Sequence, residues 1–175
     1  MPDDAYQPSP LVPVGREAVG DRWTLVFTRD LAHPVAKVWA ALSEPDQLAA
    51  WAPYTADRDL SAPGEATLTM IDGDSPEDLK ATVLRAEPPA LLEYSWGEDV
   101  LRWELTPTAT GTRLTLRHTV ADRDGLAQAA AGWHLCLDVA ERLLDGAPIA
   151  PIRGMAALDF GWEALRDGYA ERLGD

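Results

Sequence analysis

A single cysteine, Cys136, occurs in the 175 residues. It excludes an internal disulfide framework and a zinc site built from cysteines, and it reads as a small buried apolar residue. Lysine is nearly absent, with only Lys37 and Lys80. Arginine supplies most of the 15 basic side chains against 29 acidic ones, for a formal net charge of −14. So acidic a chain repels nucleic acid phosphates and anionic lipid, which excludes both from the expected partners. No apolar run approaches a membrane span. Residues 1–20 carry prolines and acids where a signal peptide would carry a charged and then an apolar stretch, so a cytoplasmic location is expected.

Familiar chemistry is missing as well. The sequence holds no Gly-rich phosphate loop, no His-Glu-x-x-His pair and no Gly-x-Ser-x-Gly elbow. The three histidines, His33, His118 and His134, lie in separate segments. No metal site and no cofactor are expected from them. The acids are scattered as a solvated face scatters them.

What is present is an apolar fraction of 46% and seven tryptophans. This composition suits one globular domain, expected over residues 21–146. Residues 1–20 lack periodicity and are expected to form a flexible arm. Residues 147–175 are expected to be a linker and a C-terminal helix packed on the same domain, since so short a helix is marginal alone.

Alternation over Trp23–Leu31 predicts a strand with Trp23, Leu25, Phe27 and Leu31 on one face. Pro34 then suits a helix start, and Val35, Val38, Trp39 and Leu42 follow at helical spacing. Ser43-Glu44-Pro45 ends that helix and opens another bearing Leu48 and Trp51. Trp39 reads as an anchor for the first of these helices.

Strands are expected over Ala66–Ile71, Leu79–Glu87, Leu91–Trp96, Val100–Thr106 and Thr112–Val120, the first two joined by a turn at Asp72-Gly73-Asp74-Ser75-Pro76. Connections this short require antiparallel hairpins. One face collects Leu92, Tyr94, Trp96, Leu101, Trp103, Leu105, Leu114, Leu116, His118 and Val120. The other collects Glu93, Ser95, Arg102, Glu104, Arg113, Thr115 and Arg117. Such a sheet is packed on one side and wet on the other.

A long helix is expected from Gly125 to Asp145, stopped by Gly146. Leu126, Ala130, Trp133, Leu137, Ala140 and Leu144 form its apolar stripe. Gln128, Asp138, Glu141, Arg142 and Asp145 fall on its polar side. It is the cover that a one-faced sheet needs. A last helix is expected over Trp162–Leu173.

The order of these elements, and four stretches within them, carry a resemblance. They are Val38–Pro45 with Leu48 and Trp51, Glu87-Pro88-Pro89 with Leu92–Trp96, Glu104–Pro107 with Gly111–Leu116, and Gly132-Trp133. The chain resembles the START-like (SRPBCC) superfamily, in the branch related to the C-terminal domain of activators of the heat-shock protein 90 ATPase. The resemblance spans about residues 22–146. It implies an α+β helix-grip fold, Bet v 1-like, in which a curved antiparallel sheet wraps a long C-terminal helix and two short helices follow the first strand. Two departures stand out: the segment between Trp51 and Gly64 is short and lacks paired glycines, and the tail from Pro148 is long.

Such a fold leaves an apolar cavity between sheet and helix, and apolar pockets with a few polar groups are the usual small-molecule sites. The inward residues Tyr94, Trp96, Trp103 and His118, opposite Trp133 and Leu137, are the expected ligand-binding set, with Trp51 at the cavity mouth by analogy with the family. The expected partner is a hydrophobic or aromatic small molecule, and a homodimer is compatible with the exposed sheet edges. An alternative is a cavity enzyme of the cyclase, dehydratase or hydrolase type. No residue is assigned as catalytic; His118 and Tyr94 are the candidates for acid–base work. A third reading, implied by the branch name, is regulation of a chaperone ATPase by protein contact.

Overall fold

The computed structural model describes residues 6–71 and 75–174. Asp72, Gly73 and Asp74 of the expected turn lie outside the described residues.

Among the described residues, eight strands form one antiparallel sheet. They are β1 (Val14–Val19), β2 (Arg22–Leu31), β3 (Tyr54–Ala56), β4 (Gly64–Met70), β5 (Glu77–Glu87), β6 (Leu91–Trp96), β7 (Asp99–Pro107) and β8 (Thr112–Val120). The order across the sheet is β1-β2-β8-β7-β6-β5-β4-β3. Helices α1 (Val35–Ser43) and α2 (Pro45–Trp51) separate β2 from β3, and α3 (Gly125–Leu144) follows β8. A 3-10 segment, Gly154–Phe160, leads into α4 (Trp162–Leu173). This is the α+β helix-grip architecture, with the curved sheet closed around α3.

Register follows the alternation. Leu101 stands opposite His118 and Trp103 opposite Leu116 across β7 and β8, while Leu92 faces Trp103 across β6 and β7. Inward residues therefore stack side by side, and Leu25, Phe27, Leu92, Leu101, Leu114 and Leu116 are buried. The opposite face carries a lattice of ion pairs in which Arg102 meets Glu93 and Glu104, and Arg117 meets Glu104 and Glu17. Being solvated, these pairs contribute little stability each and serve mainly to keep that face wet.

The apolar periodicity of α3 is matched by burial of Leu126, Ala130, Trp133, Leu137, Ala140 and Leu144. In α1, the Ser43 hydroxyl donates back to the Trp39 carbonyl at 2.8 Å, and Pro45 opens α2 directly after. The anchoring role expected of Trp39 has a physical form: its indole N–H donates to the Ser61 hydroxyl at 3.0 Å.

Three features differ from the sequence reading. Residues 14–19, expected within a loose arm, form β1 in register with β2 from Val14–Phe27 to Val19–Arg22. A two-residue connection at Gly20 with positive φ permits that hairpin. The short strand Tyr54–Ala56 was not expected, and it pairs with β4 at the edge of the sheet. Three residues are too few for alternation to register.

The third difference concerns the polar side of α3, expected to face water. Its middle, around Asp138, is covered by the arm and by α4, while Gln128 and Asp145 stay exposed. Asp138 is buried there and meets Arg29 of β2 at 2.7 Å. Ser9 donates to Asp138 through both its backbone N–H, at 2.9 Å, and its hydroxyl, at 2.6 Å, and the Tyr6 hydroxyl donates as well. His134, one residue from Trp133 but on this covered side, bonds the Ser9 carbonyl through Nε2 at 2.9 Å and the Tyr169 hydroxyl through Nδ1 at 2.7 Å. Burial of these polar side chains is tolerated because Asp138, His134 and Ser9 find partners and Arg29 pairs through one Nη, although its other Nη is buried without a hydrogen bond.

Candidate functional site

The expected cavity wall is largely a packed aromatic core. Trp51 lies edge-on to Trp103 with ring centres 6.1 Å apart, and Trp103 lies edge-on to Trp133 at 5.3 Å. These edge-to-face contacts use the opposite polarity of ring face and ring edge. Trp51 and Trp103 are fully buried. The Trp51 indole N–H donates to the Ala41 carbonyl at 2.8 Å, which ties the end of α2 to α1. Trp51 therefore sits in the core and not at a mouth. Leu137 is core as well.

Tyr94 has the same character. Its hydroxyl is bonded to the Tyr54 hydroxyl and accepts from the Trp103 indole at 3.3 Å. Burial pushes the Tyr94 hydroxyl up to about 12, against the lowering effect of these two bonds. Tyr54 is also driven well above its ordinary value, by burial and by its neighbour Tyr94. Both hydroxyls are thereby kept protonated near neutral pH.

His118 is placed differently. It is buried on β8 at the end of the sheet, beside Trp96 and Trp133 with ring centres at 5.7 and 6.1 Å. The Trp133 indole N–H reaches His118 Nδ1 at 3.0 Å, and His118 Nε2 lies 2.8 Å from Asp99 Oδ2. An indole N–H can only donate, so Nδ1 is the acceptor and the ring proton sits on Nε2, directed at the carboxylate. Both nitrogens are thus occupied. The arrangement orients an imidazole well but leaves it no nitrogen for a reacting group.

Open space remains beside this core. A pocket of about 270 Å³ lies between α3 and the tail, with Trp96, His118 and Trp133 on its inner side. Ala129, Gly132 and Cys136 of α3 line it together with Pro53, and the exposed Gln128 joins them. The outer wall comes from the tail: Ile152, Arg153, Gly154, Ala157 and Trp162. Arg153 pins that wall in place by donating to the carbonyls of Ala52, at 2.9 Å, and Ala49 at the end of α2. The lining holds no Asp or Glu.

Of the expected binding set, the structure brings Trp96, His118 and Trp133 to the pocket, and leaves Trp51, Tyr94, Trp103 and Leu137 in the core behind it. Sequence reasoning expected the tail helix to pack on the domain but missed the tail as a wall of the pocket. One signal was Trp162, an aromatic residue on a helix too short to stand alone. The other signal was Gly132, a glycine inside a strong helical pattern. Among the described residues no three His, Cys, Asp or Glu side chains come together to hold a metal. No helix among them is long and apolar enough to cross a membrane.

Solved structures share this architecture. Protein MLL2253 from Mesorhizobium loti is 29% identical, with 72% of this chain and 99% of that one covered and a TM-score of 0.61. CalU16 from Micromonospora echinospora is 20% identical over 94% of this chain and 98% of its own, with a TM-score of 0.69. The protein encoded by gene BPP1335 of Bordetella parapertussis is 24% identical over 98% and 97%, with a TM-score of 0.66. The last two likenesses show the fold alone, but their coverage extends it to the arm and the tail. No curated protein matches in sequence. A family model described as Activator of Hsp90 ATPase homolog 1-like protein matches residues 32–145, from the residue after β2 to the end of α3. That match takes in well over half of the chain, including the two small helices, the meander and the long helix, and the protein therefore belongs to the Activator of Hsp90 ATPase homolog 1-like family of START-like folds.

Proposed function

We propose that this protein binds a small hydrophobic ligand, aromatic or otherwise planar, in the pocket between α3 and the tail. The observation that carries the reading is the lining itself. In a chain with 29 acidic residues, a pocket of about 270 Å³ is faced by Trp96, His118, Trp133 and Trp162 and by no carboxylate. Such a surface suits neutral aromatic molecules, which pack against the indole rings and need no counter-charge. The volume lies just below the roughly 300–1,000 Å³ usual for small-molecule sites, so the ligand is smaller than drug-sized. The occupied nitrogens of His118 support an orienting role for the imidazole edge and weigh against acid–base chemistry there.

Titration of tryptophan fluorescence with lipids, hormones and aromatic polyketide-like compounds tests the reading. Saturable quenching by an aromatic class is expected, and it is expected to disappear when Ala129 is replaced by Phe, which fills the pocket from α3. Absence of quenching by every class would sink it, as would quenching that Ala129→Phe leaves unchanged.

A further inference from the structure

Among the described residues, two glycines stand in α-helix interiors, Gly132 and Gly168, and packing bears on only one of them. A Cβ on Gly168 of α4 would lie 2.9 Å from Leu11 Cδ1, so a side chain there must push the Leu11 side chain of the arm aside. A Cβ on Gly132, in the middle of α3, would meet nothing within 4 Å. Nor does Gly132 have the positive φ that only glycine adopts readily. Helix propensity disfavours glycine at this position more than any residue except proline. What lies over Gly132 is the pocket, with Trp96 and Trp133 beside it. Those two indoles are 5.7 Å apart at their centres.

We infer that Gly132 is the specificity-determining position of the pocket: its bare backbone is the floor on which a flat, fused-ring ligand lies, against the edges of Trp96 and Trp133. This inference rests on the proposed binding function and deepens it. A side chain at residue 132 would stand in the ligand's plane of approach. A two-ring ligand must then tilt away from the helix, whereas a one-ring ligand still fits beside the added atoms. Gly132 thus selects for ligand breadth, not for charge.

The test is isothermal titration calorimetry of the full chain with 2-naphthol and with phenol, comparing wild type, Gly132→Ala and Gly132→Leu. Each added hydrocarbon group in a filled pocket changes affinity by about tenfold or more. We expect Gly132→Ala to weaken 2-naphthol by about tenfold and phenol by less than about threefold, and Gly132→Leu to abolish 2-naphthol binding. Thermal unfolding supplies the control, because Gly132→Ala is expected to raise Tm through helix propensity while it lowers affinity. Equal affinity of wild type and Gly132→Ala for 2-naphthol overturns the role of Gly132 and leaves the binding function standing. Equal weakening of both probes overturns the selection for breadth. If neither probe binds wild type, the selection for breadth is overturned, while the proposed function stands or falls on the fluorescence titration.

Discussion

The two sides of α3 are both buried, but by different chemistry. The side facing the sheet is closed by packed indoles, with Trp133 edge-on to Trp103 and tilted against Trp96 and Trp51. The side facing the arm and α4 is closed by a network of Arg29, Asp138, Ser9, His134, Tyr169 and Tyr6. The first kind of burial is held by area removed from water and tolerates small shifts. The second holds only while every partner is present, since a lone buried charge is costly. The family match, residues 32–145, contains most of the first side, whereas the second is completed by segments outside it. In this chain the polar interface joins α3 to β2, the arm and α4.

The largest expected effect breaks the apolar side. Trp133→Ala removes a nearly fully buried indole and the bond it donates to His118. A loss of about 3–5 kcal/mol in unfolding free energy is expected by urea denaturation. Next, Arg29→Met leaves the Asp138 carboxylate buried without its guanidinium, with an expected loss of about 3 kcal/mol. Combining it with Asp138→Leu is expected to recover at least half of that loss. A double variant no more stable than Arg29→Met alone would show that packing, not charge, holds this side.

The polar side is also expected to be the acid-sensitive one. Burial is the main influence on His134 and lowers it below the ordinary 6.5, aided by the nearby Arg29 charge and opposed by Asp138. The unfolded chain therefore takes up this proton first. The His134 contribution is complete above pH 6.5 and is lost as pH falls from 6.5 through the depressed folded value. Burial alone would raise Asp138, but bonds from Ser9 and Tyr6 and the Arg29 charge hold it below 3.8. Its contribution is present above pH 3.8 and is lost as pH falls further. Urea midpoints measured at descending pH are expected to fall less steeply just below pH 6.5 in His134→Phe than in wild type. Identical slopes would remove His134 from the account.

The smallest effects compare the two helical glycines. Gly132→Ala is expected to gain up to about 1 kcal/mol from helix propensity. Gly168→Ala gains the same intrinsic amount but must displace Leu11, whose Cδ1 would be 2.9 Å from the new Cβ. A higher Tm for Gly132→Ala than for Gly168→Ala checks the difference.

Much of this could be read from the chain. Alternation in β6, β7 and β8 placed Tyr94, Trp103 and His118 inward, and helical spacing marked the stripe of α3. Burial of those residues follows both patterns. The polar side of α3 was illegible for a physical reason. Asp138 and a solvated carboxylate look alike in sequence, and its partners Ser9 and Arg29 lie 129 and 109 positions away. Arg29 interrupts the inward alternation of β2, and that irregularity was the one local trace of the network. The pocket was half legible. Its inner residues Trp96, His118 and Trp133 follow from the sheet and helix patterns, but the outer wall depends on where an aperiodic tail lies down.

The sequence by itself determined the order of elements and the apolar faces, because periodicity and short connections are local properties that allow few arrangements, and its four characteristic stretches carried the resemblance to the family. Only the tertiary structure decided which aromatic residues fill the core and which border a pocket, and that Asp138 is enclosed instead of solvated. Those outcomes depend on volumes and on partners brought together from distant segments, which no local pattern encodes.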